Sequence, residues 1–173
     1  MSDDLIKVRT EENELTLREM SEALPDTSTI MQRVGYCWWH LIYAARGGNW
    51  GLAGYYLKQT RKLENTLKVL RPKHRERLER FQATALPAVV AAVEARDLEG
   101  LERAFATATD MANRLHVESG YPYIRWELPS EPPKGLRLGP VEPVEEVAAP
   151  GADAHLGDGQ LANPSAVAGD LTG

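Results

Sequence analysis

The sequence predicts an all-α protein, an antiparallel four-helix bundle with an extra N-terminal helix and a disordered C-terminal tail. Apolar residues recur three and four positions apart in long segments, which is the spacing of one helix face. Short turns built from Gly, Pro, Asn and Asp separate these segments, and short turns make neighbouring helices antiparallel. No convincing pair of strands is evident. We expect two parts, a helical bundle domain over residues 1–129 and a flexible acidic tail rich in Pro, Ala and Gly over residues 130–173.

The first two predicted helices lie before the Gly47-Gly48 pair. Residues 4–22 are charged and weakly periodic, and they predict a short N-terminal helix. Asp26 and the hydroxyl residues after it are good N-cap residues, so a second helix begins there and runs to about Arg46. Glycine accepts the left-handed conformation that ends many helices, so Gly47-Gly48 should end this one. Its apolar stripe comprises Ile30, Val34, Cys37, Trp38, Leu41, Ile42 and Ala45.

The third predicted helix begins after Asn49, which is a favourable N-cap residue, and ends before Pro72. A fourth helix should cover Lys73 to Ala95, and Pro87 should kink it or split it in two because proline lacks a backbone donor. The apolar stripe of the third helix comprises Leu52, Ala53, Tyr56, Leu57, Thr60, Leu63, Leu67 and Leu70.

Asp97 should cap a fifth helix, which Glu118-Ser119-Gly120 closes. The inner face of this helix contains Leu101, Phe105, Ala108, Ala112 and Leu115, and His116 projects from the same face. The core should therefore include Leu63, Leu67, Leu101, Phe105 and Trp50.

Residues 121–129 should be extended and pack back over the bundle, because prolines near both ends disfavour helix. The tail after them contains no aromatic residue and cannot bury enough surface to offset its ordering entropy. It carries seven acidic and two basic residues, a net charge of −5 that equals the charge of the whole chain. The bundle is therefore neutral, which argues against nucleic acid as the main partner.

Other features of the sequence limit the classes of protein to which the chain can belong. The single cysteine, Cys37, excludes an intramolecular disulfide and lies on a core stripe, as an inert buried thiol does. The acidic start does not resemble a secretory signal, and no apolar run approaches the ~18 residues of a membrane span. We therefore expect a cytoplasmic protein without a membrane span. One basic cluster interleaved with Glu76 and Glu79 has the pattern of a solvated helix face: Arg71, Lys73, His74, Arg75, Arg77 and Arg80.

The sequence Ala112-Asn113-Arg114-Leu115-His116 is similar to the haem-attachment motif Cys-x-x-Cys-His without its two thiols. Together with Asn49-Trp50-x-Leu52-Ala53, it makes residues 30–129 resemble small four-helix-bundle c-type cytochromes of the cytochrome c′-like kind. The resemblance implies a haem site with His116 as the iron ligand. Without thiols the haem would be haem b, held non-covalently for redox chemistry or gas binding. The expected cofactor-binding residues are His116, Trp50, Tyr56 and Ala112, and His116 is the expected metal ligand.

Several alternatives remain open at this point. His116 is also consistent with a structural histidine bonded to a backbone carbonyl or an aromatic ring. His40 is a candidate second ligand or proton donor, and an enzyme that uses His116 or His40 as a general base is a further alternative. The protein could also be a cofactor-free binding or assembly protein, or an accessory subunit that docks through residues 158–173. We expect a homodimer formed through the second and third helices.

Overall fold

The computed structural model describes residues 7–140, which form six α-helices and one short β-hairpin. The fold is mostly helical, as the sequence predicts. The strands are β1 (Lys7–Arg9) and β2 (Glu14–Thr16). The helices are α1 (Leu17–Ala23), α2 (Thr27–Arg46), α3 (Trp50–Leu70), α4 (Arg75–Thr84), α5 (Leu86–Ala95) and α6 (Leu98–Glu118), with a 3₁₀ turn at Pro72–His74 between α3 and α4.

The prediction of one helix over residues 4–22 was wrong for residues 7–16, which form two strands and the turn between them. The expectation that no strands pair was therefore also wrong. β1 and β2 form an antiparallel hairpin in which Val8 lies opposite Leu15. Thr16 then begins α1 through a reciprocal capping box with Glu19. Because this box fixes the helix start at the end of β2, the helical turns cannot extend back into the hairpin.

The predicted caps of the long helices are confirmed. Asp26 accepts a hydrogen bond from the Thr29 amide (2.7 Å), Asn49 accepts one from Leu52 (3.0 Å), and Asp97 accepts one from Gly100 (3.0 Å). At the end of α2, Gly48 has a φ of +79°, whereas Gly47 is right-handed. Only Gly48 therefore has the left-handed conformation predicted for the pair.

The predicted fourth helix is split at Ala85, as expected from Pro87. α4 ends at Thr84 and α5 begins at Leu86, so Pro87 lies in the first turn of α5, where its missing amide proton costs no helical hydrogen bond. Both α4 and α5 contact α3 and α6.

One apolar core joins α2, α3, α5 and α6 and includes Phe81 of α4. Leu67, Leu101 and Phe105 are buried as predicted, whereas Leu63 and Trp50 are only partly buried. A smaller cluster at the other end is formed by Ile30, Val34 and Leu67, against which Trp126 packs. In residues 7–140 no helix is long and apolar enough to cross a bilayer.

The segment after α6 lies along the helices without regular secondary structure, as predicted for residues 121–129. Asn113 forms two hydrogen bonds with the backbone of Trp126, at 2.7 and 2.9 Å. The Tyr43 hydroxyl donates to the Pro129 carbonyl, and Asn49 donates to the Gly139 carbonyl (3.1 Å). The contacts therefore continue past residue 129, the predicted end of the bundle domain. Residues 141–173, with most of the predicted tail, lie outside the described part of the chain.

Candidate functional site

A cleft of about 700 Å³ lies between α2, α3, α4 and α6, and residues of the segment after α6 complete its wall. This size is typical of sites that hold a small molecule or cofactor, for which about 300–1,000 Å³ is usual. Most of the wall is apolar, and three tryptophans contribute to it. The apolar lining side chains are Met31, Val34, Trp38, Trp39, Leu67, Leu78, Phe81, Ala112, Leu115, Ile124 and Trp126.

Three positions of the motif-like segment face this cleft. Ala112 and Leu115, which stand where the two thiols would be, line it together with His116. Leu115 and His116 follow Ala112 by three and four residues. Residues at these spacings lie on the same face of a helix, so all three share one face of α6. The prediction that Ala112 and His116 share a site is thus consistent with where the structure places them.

His116 is half-buried, and its ring packs edge-on against Trp126 with 5.6 Å between ring centroids. Its Nδ1 atom is buried and has no hydrogen-bond partner in the described protein. Burial lowers the pKa of His116, an effect that the backbone of Ile124 partly opposes. The lowered pKa favours the neutral imidazole, which is the form that ligates a metal.

The other two predicted cofactor residues do not line the cleft. Trp50 begins α3 and packs against the core at the opposite end of the helix from Leu67. Tyr56 is buried between α2 and α3, with its ring centroid 4.9 Å from that of His40. The structure therefore brings together His116 and Ala112, and places Trp50 and Tyr56 elsewhere.

His40 is completely buried and lies beside Tyr56 in an aromatic cluster that is separate from the cleft. Its Nδ1 donates to the Tyr36 carbonyl (2.7 Å), and its ring lies 3.9 Å from that of Tyr36. Since His40 does not line the cleft, the structure does not pair it with His116. Among residues 7–140 no group of three or more His, Cys, Asp or Glu side chains converges to hold a metal ion.

Glu64 is the functional candidate that sequence reasoning missed. It lines the cleft from α3, is only 3% exposed, and accepts a hydrogen bond from Gln82 at 2.9 Å. Burial raises the pKa of Glu64 to about 7, although the bond from Gln82 and the charges of Lys68 and Arg61 oppose this rise. The signal in the sequence was a carboxylate three residues before Leu67, inside the apolar stripe.

Unpaired polar atoms concentrate at the cleft. Only four buried side-chain nitrogen or oxygen atoms lack a hydrogen-bond partner within the described protein. Three of them belong to residues that line the cleft: Trp39 Nε1, Thr60 Oγ1 and His116 Nδ1. Native proteins satisfy nearly all such atoms, so these three are candidates to bond a water molecule or a bound ligand. Apolar walls with a few polar groups are the usual composition of a small-molecule site.

Comparison of the chain with protein-family models, with curated proteins and with solved structures found no match. The assignment of a function therefore depends on the cleft and on the residues that line it.

Proposed function

We propose that this protein binds a flat, mostly apolar small molecule in the cleft, and that haem b, held non-covalently by His116, is the first candidate. One observation carries the proposal. The positions of a haem-attachment motif, Ala112, Leu115 and His116, all line a cleft of cofactor size in which three buried polar atoms lack a partner.

The residues present fit such a group. His116 supplies a neutral imidazole, and the contact with Trp126 restricts the orientation of its ring. Ala112 and Leu115 offer apolar surface without thiols, which suits a porphyrin that is enclosed and not covalently attached. The flat rings of Trp38 and Trp39 form part of the apolar wall. When bound, haem would supply one-electron redox chemistry or gas binding.

The helix arrangement is part of the proposal. We infer an antiparallel four-helix bundle of α2, α3, the α4–α5 unit and α6, in which the site lies between facing helices. Bundles commonly build cofactor sites from side chains that project into this space. The extensive pairing of α2 with α3 and of α5 with α6 supports this arrangement.

The test is a haem titration of the purified full-length chain, followed by absorbance. We expect a Soret band that saturates at one haem per chain, and its loss or large shift in His116→Ala. The matched control is His74→Ala, which removes another half-exposed histidine on the same cleft and should retain the band. Circular dichroism verifies that both variants fold.

Two outcomes would contradict the proposal. A protein that takes up no haem would eliminate haem b, and the cofactor-free alternative, a binding or assembly protein or accessory subunit, would then be preferred. A Soret band that is identical in wild type and His116→Ala would show adsorption elsewhere and would remove His116 as the ligand.

A further inference from the structure

The mouth of the cleft at the α3–α4 junction carries cationic side chains. Arg71, His74 and Arg77 all line it there. Arg71 donates to the carbonyls of Leu70 (2.8 Å) and Pro25 (3.4 Å), and Arg77 donates to those of Lys73 (3.3 Å) and Glu118 (3.2 Å). Within residues 7–140 neither guanidinium forms a salt bridge with a carboxylate. Their full charge is therefore only partly compensated.

His74 lies among these positive charges. The pKa of His74 is lowered by burial and then by the nearby charges of Lys73, Arg77 and Arg71. Three cations thus lie close enough to act on one imidazole. The pKa of Asp26 is lowered by its cap hydrogen bonds with Thr29 and further by the charge of Arg71, so Asp26 stays ionised and offsets one of these cations. The carboxylate of Glu118 pairs with Arg80 instead. The mouth therefore carries an excess of positive charge next to an apolar interior.

We propose that the ligand of the cleft is an amphipathic acid, with its apolar body among the tryptophans and its anionic group between Arg71 and Arg77. Charge complementarity at the mouth and the apolar walls behind it select this class together. The inference depends on the proposed small-molecule cleft but not on haem. A carboxylate on an apolar body is common to long-chain fatty acids and to a porphyrin with propionate groups, and the experiment separates these two sources.

The experiment compares three probes with the same twelve-carbon chain and different head groups: dodecanoate, dodecanol and dodecyltrimethylammonium. Each is titrated at pH 8 into the full-length protein, the two charged probes below their micellar concentrations and dodecanol below its solubility limit. Trp38, Trp39 and Trp126 line the cleft, so their fluorescence reports occupancy directly. We expect dodecanoate to bind about tenfold or more tightly than dodecanol, and the cation to bind most weakly, because hydrogen bonds between charged partners are the strong ones. The preference for the acid should weaken as salt is added.

Variants locate the anionic group. Arg71→Gln and Arg77→Gln should each weaken dodecanoate binding about tenfold and leave dodecanol binding unchanged, because the alcohol gains nothing from the guanidinium. Retained dodecanol binding also shows that the variant cleft is intact. The control is Arg75→Gln, which removes an exposed arginine that does not line the cleft, and it should leave both affinities unchanged.

Each result has a definite meaning. Equal affinities for dodecanoate and dodecanol would overturn the inference, as would an equal loss in Arg75→Gln. If dodecanoate binds with the predicted selectivity but haem does not bind, the inference stands and haem b is eliminated. If haem binds through His116 but none of the three probes binds, fatty acids are eliminated as the source of the acid. The inference then fails if Arg71→Gln and Arg77→Gln leave the affinity for haem unchanged, and the proposed function stands. If neither haem nor any probe binds, both fail.

Discussion

At the scale of single residues, we expect Glu64 to make the free energy of unfolding depend on pH. Its pKa is raised from 4.5 to about 7 in the folded chain. Between these two pH values the folded state holds a proton that the unfolded state has released. The free energy of unfolding therefore falls as pH rises from about 4.5 to about 7, and Glu64 contributes no further change above that range. The loss is on the order of 3 kcal/mol at ~1.4 kcal/mol per pH unit.

Glu64→Gln should remove this dependence, because glutamine is neutral at every pH and its carbonyl still accepts from Gln82. Urea denaturation at pH 5 and pH 8 measures the effect as the difference between variant and wild type. The difference is used because His74 and His116 act in the opposite sense. Their pKa values are lowered in the folded chain, so their contribution to the free energy of unfolding falls as the pH decreases below about 6.5. Glu76→Gln, at an exposed position on α4, is the control. An unchanged slope in Glu64→Gln would refute the assignment.

Two substitutions would create a Cys-x-x-Cys-His motif that ends at His116. Ala112→Cys with Leu115→Cys, in a chain exported to a compartment that assembles c-type haem, should give covalent haem, because both positions line the cleft with the histidine. The measurement is haem staining after denaturing electrophoresis. The same double variant with His116→Ala should stain much less. Non-covalent haem binding by the wild type without any covalent product in the double variant would mean that residues 112 and 115 do not face the porphyrin edge.

At the scale of elements, the close approach of the extended segment to the α2–α3 turn depends on Gly47. A Cβ atom at this position would lie 2.5 Å from the Leu138 carbonyl oxygen, which belongs to the backbone and cannot rotate away. Gly47→Ala should therefore lower the free energy of unfolding by about 1–3 kcal/mol, as overpacking does. Gly51→Ala is the control, since its nearest atom is 3.8 Å away.

The effect of Gly47→Ala should disappear in a chain that ends at residue 129, because Leu138 is then absent. Chemical denaturation of the four combinations forms a double-mutant cycle that isolates this one contact. A Gly47→Ala penalty of the same size in both chain lengths would assign the effect to the helix end itself, and the predicted contact with Leu138 would be wrong.

The elements that sequence predicted well are those with local signals. Asp26, Asn49 and Asp97 each cap a helix by a bond to the third residue after them, so the information lies in four adjacent positions. The split at Pro87 is equally local. The hairpin before α1 was missed because the strands are three residues each and carry only one apolar side chain apiece. Such short alternation is weak evidence against a helix.

The candidate site was predicted only in part, for a related reason. The helical spacing placed His116 and Ala112 on one helix face, and in the structure both residues line the cleft. The burial of Glu64 depends on Gln82, which lies eighteen residues away on α4, and on how α4 turns after Pro72. Tyr56 was chosen for its place on an apolar stripe, but that stripe is wide enough to face both the cleft and α2. The rotation of α3 decides which of its residues reach the cleft, and sequence periodicity does not specify it to that precision.

At the scale of the whole molecule, the extent of the stable domain is testable by truncation. Removing residues 141–173 should leave the melting temperature unchanged, because this stretch has no aromatic residue and six acidic ones, a composition that does not form a core. Removing residues 130–173 should lower the free energy of unfolding by about 1–3 kcal/mol, because it deletes the hydrogen bond from Asn49 and the packing of Leu138 on the core. Equal melting temperatures for the two truncations would restore residue 129 as the domain boundary.

The truncation at residue 140 also tests the predicted docking function of residues 158–173, which lie outside the described residues. If the tail recruits a larger assembly, the shortened chain should lose that association and keep its affinity for haem or dodecanoate. Fusing residues 158–173 to an unrelated carrier should transfer the association. A carrier that gains no partner would leave the solubilising role as the remaining interpretation of the tail.

The predicted homodimer through α2 and α3 concerns the same scale, and the structure suggests where to test it. Tyr36 of α2 is 40% exposed and Tyr55 of α3 is 53% exposed, and both contact the buried ring of Tyr56. Exposed aromatic side chains beside one another are favourable interface anchors. We expect sedimentation at micromolar concentration to show twice the chain mass of 19.2 kDa. Tyr55→Glu should yield monomer, because pairing across a twofold axis would bury two carboxylates.

Tyr123→Glu is the matched control for this experiment. Tyr123 is 78% exposed, but it belongs to the segment after α6 and not to α2 or α3, so its substitution should leave the dimer intact. A wild-type protein that sediments only as a monomer would contradict the prediction directly. A dimer that persists in Tyr55→Glu but dissociates in Tyr123→Glu would move the interface to the extended segment. Because that segment completes the wall of the cleft, dimerisation would then depend on what the cleft binds, and sedimentation with and without dodecanoate would reveal the coupling.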